Sequence, residues 1–299
     1  MTYWTEVHHM NRRENLHTLA LQTQSRDLTF PTSVTVALQV RKALDDPDCN
    51  IDALARLIKA EPLISARVVA VANSSAFNRA GRVITDVRAA LALIGLRTLR
   101  ALTMAIVARQ LAGTPESPAQ RALASRLWEH TSHVAALAQV LARRVTHQDP
   151  ETALFVAMVH EIGGFYLISR AKDFPGLLDG EPADWFGEDS GEDDLIDEDV
   201  PERVIGRAVL KALQVPQPVV AAVEVMWSGY LAFPPTSLGD TLLLADQLAP
   251  VSSPLQQPDS KITGDSVPNI DLVIEQDTLK GILAESADDV KSLALALQV

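Results

Sequence analysis

The chain carries a single cysteine, Cys49, in 299 residues. No internal disulfide can form, and a reducing compartment is expected. Cys49 lies among Asp46, Pro47, Asp48 and Asn50, a turn-forming set without a cationic neighbour, so it reads as an unreactive thiol. Also lacking is an uninterrupted membrane-length apolar run. The most apolar long stretch, Ala153 to Ile168, is broken by His160 and Glu161 and falls short of the roughly 20 residues that span a bilayer. Met1 to Arg13 holds His8, His9, Arg12 and Arg13 but no apolar centre, which argues against a secretory leader. Sustained strict alternation of apolar and polar residues is missing as well, so strands have little support. A soluble, cytoplasmic, helical protein is the expectation.

Basic residues are absent from one segment. Asp179 to Glu202 contains 12 acids and no Lys or Arg, and the remainder balances at 26 acids and 26 bases, so this segment accounts for the whole net charge of -12. With Gly180, Pro182, Gly187, Gly191 and Pro201 it reads as a solvated, self-repelling loop. A calcium loop would need alternating acids and a closing glutamate, which are not there. The opposite bias lies between Arg79 and Arg109, where Arg79, Arg82, Arg88, Arg97, Arg100 and Arg109 meet one acid, Asp86. Such a patch suits nucleic acid, a nucleotide phosphate, an acidic partner or the chain's own acidic loop. No aromatic side chains except Phe77 interleave with it and no helix-turn-helix signature surrounds it, so nucleic acid is not expected.

What is present is apolar spacing of three and four from end to end, the mark of helices. Asn50 is placed to cap a helix carrying Ile51, Leu54, Leu57 and Ile58, and a second begins around Pro62. Thr85 is the expected cap of a helix through Val87, Leu91, Ile94 and Leu99, in which Gly95 implies a close helix contact or a break. Ser117-Pro118-Ala119-Gln120 reads as a capping box with proline at the first helical position. Asp149-Pro150-Glu151 opens another helix, whose body Leu154 to Ile168 is apolar on nearly every face and belongs at a centre. The expected fold is all-α, two packed helical subdomains: residues 1–26 as an N-terminal extension, 27–113 as an N-terminal bundle, 114–250 as a second bundle with the acidic loop 179–202, and 251–299 as linker and C-terminal helices.

The chemistry-bearing residues fall on three of these elements. His130 shares a helical face with Leu127, Val134, Leu137 and Leu141, so its imidazole points inward. Glu161 beside His160, and Asp246 in Leu242 to Asp246, are carboxylates in apolar runs, and each needs a hydrogen-bonding or cationic neighbour. Two imidazoles and two carboxylates from three helices make either a divalent metal site or a buried polar network that satisfies itself. Spacing favours the network. In the N-terminal half, Asn73 followed by Ser74 is placed to cap or brace the turn into Phe77, with ligand contact the alternative.

The run Trp128-Glu129-His130-Thr131, then Met158-Val159-His160-Glu161-Ile162-Gly163, then Ala245-Asp246, resembles the ordered motifs of the HD-superfamily metal-dependent phosphohydrolases. Ala72-Asn73-Ser74-Ser75-Ala76-Phe77, followed by Ile84 to Val87 and Ala89 to Leu96, is similar to the HDOD branch, the HD-related output domain of bacterial signalling proteins. The resemblance covers roughly Asp27 to Pro250. It implies a helical fold with HD-like second half, a His, a His-Asp pair and a distant Asp as the ancestral ligands, and a non-catalytic regulatory role. His130, His160 and Asp246 match by type and order. Glu161 stands where the superfamily has aspartate, and Gly164 where many active members have lysine. Glu202 to Arg207 and Trp227-Ser228 stand where many members carry further histidines. The implied partners are signalling proteins, either response regulators or components of cyclic-dinucleotide pathways.

The resulting expectation is a signal-output or adaptor module that works by protein association, with no catalytic residues, no cofactor, no functional metal and no membrane. Vestigial ligands are His130, His160, Glu161 and Asp246, and the patch for an anionic partner is Arg79, Arg82, Arg97 and Arg100. Two alternatives stand beside it. One is a metal-dependent phosphohydrolase of nucleotides or cyclic dinucleotides, and the other a nucleotide sensor without turnover.

Overall fold

A computed structural model describes residues 11–25, 28, 35–46, 50–59, 62–111, 113, 117–178, 200–213, 215–232, 234–255 and 276–298. Every regular element among them is a helix: α1 (Arg12–Ser25), α2 (Thr35–Asp45), α3 (Ile51–Lys59), α4 (Pro62–Asn73), α5 (Val87–Leu111), α6 (Pro118–Arg144), α7 (Pro150–Val159), α8 (Ile162–Arg170), α9 (Pro201–Ala212), α10 (Gln217–Ser228), α11 (Leu238–Leu248), α12 (Gln276–Glu285) and α13 (Ala287–Gln298). The all-α expectation holds. Cys49, the acidic residues from Asp179 to Asp199 and most of the Ser252 to Pro268 link lie outside the described residues.

Local chemistry explains several boundaries. Asn50 Oδ1 accepts the Ala53 N–H at 2.8 Å and starts α3. At α6 the Ser117 side chain accepts the Gln120 N–H while the Gln120 side chain takes the Ser117 N–H, a complete capping box with Pro118 in the first turn. The cap of α5 is Asp86 rather than Thr85: its Oδ2 accepts the Ala89 N–H at 3.0 Å, and the helix begins at Val87, directly after it. The glutamate expected in the acidic loop, Glu202, instead lies in the first turn of α9, after Pro201, where an acid favours the helix N-terminus.

The largest departure concerns the central apolar helix. Rather than one body from Leu154 to Ile168, the chain forms α7 and α8, separated at His160 and Glu161. Glu161 has φ −96° and ψ 16°, the bridge region between helix and strand, and Gly163-Gly164 follow it with low helix propensity. The α7 segment is central as expected, packing on α5, α6, α10 and α11, with every residue from Ala153 to Val159 buried.

Two stretches, Val87–Leu111 and Pro150–Arg170, have the length and composition to cross a membrane, yet 67% and 78% of their most apolar windows are buried inside the fold. Both act here as core helices. One continuous apolar core joins α1 to α11 and α13. The N-terminal helix α1 buries Leu16, Leu19 and Ala20 and packs on α9, while α13 lies across α6 and α4.

Candidate functional site

His130 projects from the middle of α6, His160 ends α7, Glu161 opens α8 and Asp246 lies near the end of α11. The structure brings all four together. His130 Nε2 stands 3.3 Å from His160 Nε2, 3.2 Å from Asp246 Oδ1 and 4.0 Å from Glu161 Oε1. Both histidines are buried, and both carboxylates are nearly so. The break between α7 and α8 is what turns Glu161 toward the cluster despite its extra methylene.

Backbone carbonyls set the tautomers. His130 Nδ1 lies 2.8 Å from the Val251 carbonyl and His160 Nδ1 lies 2.6 Å from the Ala157 carbonyl. A carbonyl only accepts, so each Nδ1 carries hydrogen, and each Nε2 faces the other with its lone pair unless protonated. Two facing lone pairs beside two carboxylates require a proton or a cation between them. For His130, burial opposes the charge, but the hydrogen bond it donates to Asp246 and the charges of Glu161 and Asp246 outweigh it and hold the imidazole above its ordinary pKa. For His160, burial dominates and pushes the pKa down, despite Glu161 and Asp246. One proton on His130 Nε2 therefore satisfies both Asp246 and the His160 lone pair.

The same atoms also fit a divalent ion by type. His130, His160 and Glu161 offer ligand atoms that all lie within 4.8 Å of one another. Two imidazole nitrogens 3.3 Å apart match neighbouring ligands on a tetrahedral centre with metal–nitrogen bonds of about 2.0–2.1 Å.

Beside the cluster lies a cavity of about 350 Å³, bounded by His160, Glu161 and Asp246 at one end and by Leu243, Trp227 and Leu255 along its walls. Its two arginines are engaged. Arg12 from α1 pairs with Glu202 at 3.4 Å, and Arg203 donates to the Trp227 carbonyl at 2.6 Å. Burial lowers the pKa of Arg12 and raises that of Glu202. Leu255 packs so closely over Gly164 that a Cβ there would sit 2.3 Å from its Cδ1. Sequence reasoning passed over Arg12, Val251 and Leu255. The signal available for the first pair was the Pro201-Glu202 helix start; a backbone carbonyl such as that of Val251 leaves none.

The other candidates are placed elsewhere. Asn73 braces the return of the chain: its Nδ2 donates to the carbonyls of Val69 and Ile84 at 2.9 and 2.7 Å, and its Oδ1 accepts the Ile84 N–H at 2.8 Å. Ser74 is buried, with its Oγ donating to the Val71 carbonyl at 2.7 Å. The arginines do not form one patch. Arg97 pairs with Asp149 at 3.0 Å, and Arg100 with Asp45 at 3.1 Å and the Leu44 carbonyl at 3.0 Å. Arg79 and Arg82 remain exposed in the turn after α4.

A family model of the HDOD domain matches residues 30–228, and the chain belongs to that family. Among solved structures, a Shewanella amazonensis protein whose name assigns it to the metal-dependent phosphohydrolases aligns over 95% of this chain and 99% of its own, with 20% identity and a TM-score of 0.67. An HDOD domain protein of unknown function from Geobacter sulfurreducens aligns over 95% and 97%, at 20% identity and a TM-score of 0.58. A Marinobacter aquaeolei protein whose name places it in signal transduction aligns over 98% of this chain and 68% of its own, at 17% identity and a TM-score of 0.58. At these identities the likeness concerns the fold. No curated protein matches the chain.

Proposed function

We propose that this chain is a cytoplasmic signalling module that acts by binding other proteins and turns over no substrate. Membership of the HDOD family and the likeness to the Marinobacter protein support the signalling role. One observation carries the non-catalytic reading. The arginines that border the cavity are spent on Glu202 and the Trp227 carbonyl, so among the described residues neither is arranged to hold a phosphate. Arg97 is engaged elsewhere: it meets Asp149 at the start of α7, and His160 ends that helix, about 16 Å away at 1.5 Å per residue. The four-residue cluster then serves as a polar network tying α6, α7, α8 and α11 together. Its partners are response regulators or components of cyclic-dinucleotide pathways.

The donor set keeps a second reading in view, a metal-dependent phosphohydrolase. His130, His160, Glu161 and Asp246 would hold the ion, which supplies an acidified water for attack on phosphorus. The two readings separate in one experiment. Protein is purified with and without added manganese or iron, its metal content measured, and turnover of bis-p-nitrophenyl phosphate and a cyclic dinucleotide followed. No metal-dependent turnover is expected. Turnover that tracks metal content and disappears in His160→Ala overturns the association reading.

A further inference from the structure

Exposed large apolar side chains are few among the described residues, and three of the six, Val83, Leu93 and Leu96, come from one short stretch around the start of α5. Leu93 helps to line an open groove of about 590 Å³ that shares no lining residue with the cavity at the histidine cluster, with Phe77 beside it and Arg79 and Arg143 also on its walls. An exposed leucine set beside a half-buried phenylalanine in a groove is the kind of apolar exposure that marks an interaction surface, which an isolated surface residue does not.

The charge around the groove is the reverse of the charge of the molecule. Arg79, Arg82 and Arg143 are exposed there, on a chain of net charge -12. The contact of Arg79 with Asp289 is long, at 3.9 Å, with the arginine side chain 74% exposed, so it contributes little and leaves the guanidinium able to pair again. Arg97 and Arg100 differ: acids of other helices already engage them. The C-terminal helix α13 shows which chemistry this region accepts. Its first turn sets Asp289 toward Arg79, and Ser292 Oγ accepts the Ser75 N–H at 3.1 Å.

We propose that this groove is the docking surface for a partner's helical segment that carries acidic residues beside large apolar anchors, the apolar face lying on Phe77 and Leu93 and the acids on Arg79 and Arg143. The inference rests on the association reading above and names its surface. A net-negative molecule repels acidic segments at long range, so only a local cationic rim over an apolar floor holds one, which gives selectivity for position as well as charge. The same repulsion disfavours an anionic bilayer as the occupant.

The test uses the full chain and a fluorescein-labelled, stapled helical peptide with Leu and Phe on one face and Glu on the other. Anisotropy is expected to show saturable binding that weakens with salt and falls about tenfold or more in both Leu93→Asp and Arg143→Glu. A peptide with Lys in place of Glu is expected not to bind. Both substituted positions are at the surface, and unchanged unfolding midpoints confirm that the variants are folded. Absence of saturable binding, equal binding by the Lys peptide, or undiminished binding by both variants overturns the proposal. So does Leu93-dependent sedimentation with phosphatidylserine vesicles in place of peptide binding. Failure here with no phosphodiester turnover leaves the association reading standing, whereas metal-dependent turnover removes that reading itself.

Discussion

The behaviour of the histidine cluster follows from where two protons are pinned. Because the Nδ1 atoms of His130 and His160 each face a carbonyl, the only variable proton is the one shared among the Nε2 atoms and Asp246. His130 has its folded pKa raised above the ordinary 6.5. Its contribution to stability is complete below that value and is lost as pH rises through the folded pKa. The folded pKa of His160 is lowered, so it contributes above 6.5 and loses that contribution as pH falls. Stability in EDTA is therefore expected to peak near pH 6.5, read as a maximum in the urea midpoint. Asp246→Asn removes the hydrogen bond that raises His130, and the decline on the alkaline side should shrink while the acidic side persists. An alkaline limb of unchanged slope in that variant contradicts the shared-proton arrangement. The four side chains were legible in the sequence because buried ionisable residues in apolar runs announce themselves. The Val251 carbonyl and the Leu255 side chain were not, since a backbone acceptor and one more leucine after a helix carry no distinguishing chemistry.

Helix boundaries were legible where one side chain is placed to cap, as with Asn50 and the Ser117–Gln120 pair, ambiguous by one residue where two candidates adjoin, as with Thr85 and Asp86, and illegible where backbone geometry decides. The division of the central apolar run falls at its one polar pair, His160-Glu161, but a polar pair inside a helix is common and does not by itself mark a helix end. The glycine pair after it, Gly163-Gly164, adds the second hint of a change of direction. Gly95 is the counterexample, a residue for which the sequence offered a close helix contact or a break, and the structure selects the break. Its φ of 77° and ψ of 168° break α5, and a Cβ built there meets nothing within 4 Å. Conformation therefore demands glycine, and crowding does not. Gly95→Ala is expected to cost about 1–3 kcal/mol in chemical denaturation, the usual charge for a side chain in a region reserved for glycine. Gly163 has the opposite origin. There a Cβ would approach Gly206 Cα at 3.0 Å, so α8 and α9 meet backbone to backbone. Gly163→Val should destabilise by prising those helices apart. A gain in stability from either substitution would contradict the reason assigned to it.

At the scale of the whole molecule, the two halves read from the sequence are joined by more than adjacency. The second half of α5 is buried on almost all sides because α7 and α8 cover it, while α13, far along the chain, spans α4 and α6. The first described helix completes the interlock by docking on α9, with Leu19 almost fully buried and Arg12 reaching Glu202 beside the cavity. Long-range contacts of this kind are invisible to local periodicity, which reads the amphipathic face of a helix but not the identity of what covers it. They have a thermodynamic consequence. A core shared across both halves unfolds as one unit, and damage at its edge spreads to the rest. Leu19→Ala should lose about 2–5 kcal/mol through the cavity left between α1 and α9. Urea unfolding followed by the summed fluorescence of the four tryptophans, among them Trp128 on α6 beside Phe165, is expected to shift to a lower midpoint. Hydrogen exchange of the α4 amides, remote from Leu19, should show the same loss of protection. Were α4 to keep its full protection while the tryptophan transition moved, the halves would be unfolding separately and the shared core would not be what holds them.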